Sequence, residues 1–228
     1  MFKRKKEKVC EYIPVESIKD FFSFMNKSEI RYVLIKNISS ELPNQLLNGK
    51  DIDIVVHEED KVRFEKCMKN HGYHTHTPPL GIVNGWTFAY QLPEYEFWKL
   101  ENKPFTLYID ASFKLACKSI TPNVWIPLDN IIQEDILKKR CFDEKNGWWI
   151  MDDQTILIYL FVRSIFDKHE FKQGYVEGIE ERKYLLNDEN TQEKLRKVFF
   201  KYTDRLIQMI ESKRYDEIIQ DYKTYLNY

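Results

Sequence analysis

The apolar positions of this chain follow two periodicities, and the change from one to the other lays out the fold. Ile18, Phe21, Phe22 and Met25 recur at three- and four-residue steps, which puts them on one face of a helix over about 15–27. Pro14 ahead of that run and Glu16 within it fit the first turn of a helix. Residues 31–36 (RYVLIK) read as a strand, and 37–50 as a connection holding Leu42-Pro43 and a short helical turn. Then comes Gly49-Lys50-Asp51-Ile52-Asp53-Ile54-Val55-Val56, where two aspartates alternate with apolar residues. That period of two predicts a half-buried strand over 51–56 with both carboxylates on one face.

Helical spacing returns with Val62, Phe64, Cys67, Met68 and His71, predicting a helix over 59–71 closed by Gly72 at its C-terminal cap. A short strand over 73–76 ends at Pro78-Pro79, and a loop with Gly81 and Gly85 follows. Three β-like runs come next, at 86–92, 95–100 and 105–111, the last two joined by a turn at Glu101-Asn102-Lys103-Pro104. They read as an antiparallel meander, which makes the order α+β rather than a βαβ alternation. Past Ala111 the composition shifts. A helix is expected over 128–139 and a hairpin over 141–151, turning near Lys145-Asn146-Gly147, with one of Trp148 and Trp149 pointing outward. From Asp152 the chain reads as helical throughout, led by the stripe Ile156, Leu157, Leu160, Phe161 and Ile165. Asp152 and Asp153 suit the first turn of that helix and Lys168 its last. The expected organisation is a mixed α/β domain over 1–125 and a helical domain over 126–228.

With 228 residues the chain is long enough to bury a substantial core. A net charge of −1 argues against a protein built to wrap nucleic acid, which shows a basic excess. Seven glycines, and no Gly-rich motif among them, argue against a P-loop or Rossmann phosphate cradle. Cys10, Cys67, Cys117 and Cys141 stand far apart, as free thiols in a reducing compartment would. The basic start at 3–8 has no apolar stretch behind it, so it reads as a solvated tail and not a signal peptide. No run is long enough to span a bilayer. A cytoplasmic protein is the expectation.

The candidate chemistry lies in the aspartates. Asp51 and Asp53 repel each other when held one strand repeat apart, and a divalent cation such as Mg²⁺ removes that cost. Asp110 ends the apolar run Phe105-Thr106-Leu107-Tyr108-Ile109, and two carboxylates on one strand with a third on a neighbour suit two-metal nucleotidyl transfer. His57, His71, His74 and His76 lack a cysteine or carboxylate at zinc-finger spacing, and core-edge or exposed histidines are the simpler reading. Arg163, Lys168, Lys172 and Tyr175 are candidates to touch substrate or phosphate, with packing and helix-end charge as the plainer roles.

A helix, a strand, a loop, then Asp51-x-Asp53 with apolar residues after it, a helix, and a later strand bearing Asp110 together resemble the DNA polymerase β-type nucleotidyltransferase superfamily. More narrowly, Tyr32-Val33-Leu34-Ile35-Lys36-Asn37, Glu41-Leu42-Pro43 and Gly49-Lys50-Asp51-Ile52-Asp53 resemble stand-alone bacterial nucleotidyltransferase-like proteins associated with surface-polysaccharide loci. The resemblance covers about residues 15–112, and the helical remainder is similar to the helical substrate-binding region such proteins append. It implies Asp51, Asp53 and Asp110 as catalytic residues and as ligands of Mg²⁺. It also implies an NTP as donor and a small-molecule acceptor, such as a sugar or polyol phosphate. Where the superfamily has Gly-Ser or Gly-Gly after the first strand, this chain reads Lys36-Asn37, with Ser39 and Ser40 just beyond. In that pattern Lys36, Asn37, Ser39, Ser40 and Lys50 are the candidate nucleotide-binding residues. The same fold also accommodates a catalytically silent nucleotide- or sugar-binding module, a nucleic-acid end-modifying enzyme, or an antitoxin-like partner-binding protein.

Overall fold

A computed structural model describes residues 10–37, 40–77, 87–88, 95–119 and 124–225, with backbone alone for 87–88. Among these residues the chain divides into two compact units: 10–77, 95–113 and 142–150 make one, and 87–88, 114–141 and 151–225 the other.

The first unit is a mixed sheet packed on helices. Helix α1 spans Val15–Lys27 and buries Ile18, Phe21, Phe22 and Met25 completely, the stripe that its spacing predicts. Each such side chain contributes roughly 1.5–3 kcal/mol when taken out of water. Strands β1 (Tyr32–Leu34) and β2 (Asp51–Val56) follow and pair antiparallel, Leu34 beside Ile54. After a 3-10 turn at Glu58–Asp60 comes helix α2 (Lys61–Asn70), later in its start than the single helix expected from residue 59. Gly72, at φ +81°, supplies the left-handed residue after α2, and Tyr73 N–H bonds back to the Met68 carbonyl. Asp60, buried, receives the Arg31 guanidinium at 2.8 and 3.0 Å and thereby ties the start of β1 to the start of α2.

Short strand β3 (His74–Thr75) comes next, and its proline-rich continuation lies outside the described residues. Within the expected run at 86–92 only β4 (Thr87–Phe88) is described, and it does not join a meander. It pairs parallel with β8 (Val124–Pro127), itself antiparallel to β7 (Ala116–Lys118), in a separate three-stranded sheet of the second unit. The meander that does form joins β3, β5 (Glu96–Asn102) and β6 (Phe105–Ser112). Helix α3 (Asn130–Lys138) precedes a hairpin of β9 (Cys141–Asp143) and β10 (Trp148–Ile150). Strand β10 runs parallel to β1, which completes the order β3-β5-β6-β2-β1-β10-β9. A single boundary near residue 125 does not describe this division, because the hairpin returns to the first unit's sheet. Trp148 is the inward tryptophan, 4.7 Å from the Phe22 ring, and Trp149 is half-buried beside Phe142.

The rest of the second unit is helical, although α4 is buried on nearly all sides (Leu157 to Val162) and does not carry the one-sided stripe expected, with Ile156 only half-buried. It holds α4 (Asp153–Val162), a π-helical segment Arg163–Lys168, α5 (Gln173–Arg182), α6 (Glu189–Phe199), α7 (Thr203–Glu211) and α8 (Tyr215–Thr224). Asp152 caps α4 by accepting from the Gln154 and Thr155 N–H groups. Among the described residues no helix is long and apolar enough to cross a membrane.

Truncating the aromatic centre of the first unit tests this packing. Phe22→Ala removes a ring that meets Phe21, Tyr32 and Trp148, and should cost about 3–5 kcal/mol of stability. Urea unfolding followed by tryptophan fluorescence should show the midpoint fall accordingly; an unchanged midpoint would contradict the assignment.

Candidate active site

The carboxylates are placed by strand register. Strand β2 lies parallel to β6 with Asp53 directly beside Asp110 and Asp51 beside Tyr108. Alternation sends Ile52, Ile54 and Val56, with Leu107, Ile109 and Ala111, into the core that α1 and α2 cover. The same alternation turns Asp51, Asp53 and Asp110 to the opposite face. Asn48 secures the start of both strands: its carbonyl oxygen accepts the Thr106 N–H at 3.1 Å and its amide donates to the Cys10 carbonyl at 3.1 Å. Carboxylate oxygens of Asp51, Asp53 and Asp110 all lie within 4.8 Å of one another. They range from exposed Asp51 through half-buried Asp110 to buried Asp53.

Such crowding has an electrostatic consequence at Asp110. Burial, followed by the charges of Asp51 and Asp53, pushes its carboxyl up to about 8, with a hydrogen bond to Asp51 acting in the same direction and Lys36 opposing. Near neutral pH the carboxyl favours its protonated form, since like charges at this spacing resist full ionisation. Asp53 is compensated differently, by an ion pair from the Lys36 ammonium. Lys36 stands just beyond β1, at φ +68°. A left-handed backbone costs a non-glycine residue about 1–2 kcal/mol. Glycine adopts such a backbone freely; a lysine does not.

The other candidate nucleotide-binding residues are placed unevenly. Asn37 accepts the Leu42 N–H at 3.1 Å on its side-chain oxygen, which braces the loop. Ser40 is exposed, at φ +53°, and Lys50 is exposed next to Asp51. Ser39 lies outside the described residues. Sequence reasoning did not find the aromatic surroundings of Asp110. Phe97 is its cross-strand neighbour on β5, Tyr108 precedes it by two on β6, and the His76 ring lies 5.2 Å from that of Tyr108. The alternation within 105–112 marks Tyr108, but Phe97 and His76 are identified only by the pairing of β3, β5 and β6.

Residues with other candidate roles are engaged elsewhere. His57 accepts the Glu59 N–H at the 3-10 turn, and His71 stacks on Phe24 at 4.0 Å. In the second unit Arg163 is buried and pairs with Asp167 at 2.7 Å, while Lys172 is exposed at the start of α5.

The donor set suits a hard divalent cation. All three groups are carboxylates, hard oxygen donors, and one oxygen from each lies within 4.8 Å of the others, close enough for one such ion to reach all three.

No protein-family model and no curated protein matches the sequence. Several solved structures are similar to the chain. The antibiotic-resistance factor ANT(2'')-Ia in solution is 9% identical over 88% of this chain and 96% of its own, with a TM-score of 0.43. ANT(2'')-Ia in complex with adenylyl-2''-tobramycin is 10% identical over 82% and 95%, at 0.42. A CCA-adding enzyme in apo form is 14% identical over 95% of this chain and 66% of its own, at 0.29. The chemistry assigned to this chain rests on its own side chains.

The proton on Asp110 predicts a pH dependence with a definite sign. A carboxyl is ionised above about pH 4 in the unfolded chain but holds its proton to about 8 here, so stability falls as pH rises between these values and is level above. Asp110→Asn abolishes that loss. Without divalent ions it should melt about 3–6 °C above the wild type at pH 8, and the gap should close towards pH 4. Thermal unfolding across pH 4–9 reads this directly; a gap that is constant or inverted would exclude a raised Asp110.

Proposed function

We propose that this protein is a divalent-metal-dependent nucleotidyltransferase. It moves a nucleoside monophosphate from an NTP to a hydroxyl or phosphate of a small molecule, with sugar or polyol phosphates as the acceptor class. One observation carries the reading: neighbouring parallel strands bring Asp51, Asp53 and Asp110 together on one face, their carboxylate oxygens within 4.8 Å. Bound by these carboxylates, Mg²⁺ would neutralise triphosphate charge and make the acceptor oxygen a better nucleophile.

The chain's own groups supply the rest. The acceptor oxygen forms a bond to the α-phosphorus as the bond to the bridging oxygen breaks, and pyrophosphate leaves. Asp110, in its ionised form, is the group placed to receive the acceptor proton as general base. Asp51 and Asp53 act as fixed negative charges that hold the cation. Lys36 and Lys50 supply positive charge to the phosphates, with Asn37, Ser39 and Ser40 as the polar groups of the same loop. The helices of the second unit, α3 to α8, form the acceptor-binding region. The near-zero net charge supports a small acceptor over a nucleic acid.

A second reading has its own support. Lys36 pairs with Asp53 in the position where the superfamily pattern has Gly-Ser, and a permanent pairing there would leave a nucleotide-binding module without transfer.

Release of pyrophosphate from a panel of NTPs, with Mg²⁺ and with sugar- or polyol-phosphate acceptors, separates the two. Asp51→Asn and Asp53→Asn should each lower the rate by at least about 10²–10³-fold while melting as cooperatively as the wild type. Full activity in either variant would overturn the mechanism. NTP binding without any release of pyrophosphate would select the silent module.

A further inference from the structure

Lys36 is a cation already in place among carboxylates that suit a metal, and the geometry gives it a role beyond phosphate binding. Its ammonium pairs with Oδ1 of Asp53, and its charge also reaches Asp110. The pair is well sheltered, with side-chain exposures of 23% and 10%, so water screens it poorly. The backbone places it there in a left-handed conformation that a lysine adopts only at a cost. That backbone conformation coincides with an ion pair inside the carboxylate cluster.

We propose that Lys36 is a tethered counter-cation which a divalent ion must displace from Asp53. This rests on the metal-binding reading of Asp51, Asp53 and Asp110 and adds regulation to the same site. Paired with Asp53, the ammonium neutralises that buried carboxylate and lets the three acids stand together. To give up Oδ1 to an ion, Lys36 has to leave it, because a monovalent and a divalent cation on one carboxylate oxygen repel each other. The released ammonium is then available to an anion, and the triphosphate of an NTP is the anion that the proposed reaction brings. Metal and nucleotide are thereby coupled through one side chain: metal alone meets a competitor, and a nucleotide that draws Lys36 away removes it.

The prediction runs opposite to a structural role. If Lys36 merely braced the loop, its removal would loosen the cluster and weaken ion binding. If it competes, its removal strengthens ion binding. Binding of Mn²⁺ alone, by electron paramagnetic resonance of the free ion, should be compared in wild type and in Lys36→Met, Lys36→Gln, Lys36→Arg and Asp51→Asn. Thermal melting of each variant confirms that it is folded. Lys36→Met and Lys36→Gln should bind at least about tenfold tighter than wild type, or about 1.4 kcal/mol. Lys36→Arg, which keeps the charge, should stay within about twofold of wild type, and Asp51→Asn should bind far more weakly. Equal or weaker binding in both neutral variants, with Asp51→Asn still impaired, overturns the competition and leaves the metal site standing. Absence of Mn²⁺ binding in every protein overturns the metal reading and this inference with it.

Discussion

Mutual repulsion among three carboxylates is the constraint around which this site is built. Parallel pairing of β2 with β6 puts Asp53 and Asp110 side by side, and the two-residue repeat of β2 adds Asp51 to the same face. Nothing in the packing of the sheet requires acids there, since the other face supplies the core of Ile52, Ile54, Ile109 and their neighbours. The cluster relieves its repulsion in two ways. Asp110 holds a proton near neutral pH, and Lys36 folds onto Asp53 from a left-handed backbone.

The register that brings the acids together depends on elements far from them. Aromatic packing of α1 against Tyr32 and Trp148 fixes β1 and β10, and β1 in turn fixes the edge of β2. On the other side Asn48 ties the residues before β2 to the first residues of β6. A slip of one residue between β2 and β6 would turn Asp110 into the apolar core and bring Ile109 out. The cost of burying that carboxyl, together with the lost apolar contacts, keeps the alignment unique.

Much of this was legible in the sequence because it is local. The limits of α1 follow from Ile18, Phe21, Phe22 and Met25, and those of β2 from the alternation after Gly49. Asp51 and Asp53 had to share a face whatever β2 paired with. Pairing partners are not local, and there the reading fell short. Val124–Pro127 and Thr87–Phe88 meet in a second sheet, which the apolar character of either run does not encode. Trp148–Ile150 joins β1 across more than a hundred residues of chain, so a boundary drawn by composition missed it. The Lys36–Asp53 pair was hidden for another reason: a lysine after a strand looks like a surface cation, and its pairing with Asp53 and its positive φ are both set by the tertiary structure.

Metal-dependent transfer and silent binding differ in one physical respect, the occupant of the space among the three carboxylates. A crystal of the protein soaked with Mn²⁺ and a non-hydrolysable NTP analogue, read by anomalous scattering, examines that space directly. The account predicts an anomalous peak coordinated by Asp51, Asp53 and Asp110, with Lys36 drawn off Asp53 towards the phosphates. A map with bound nucleotide, no peak at the triad, and Lys36 still on Asp53 would contradict it.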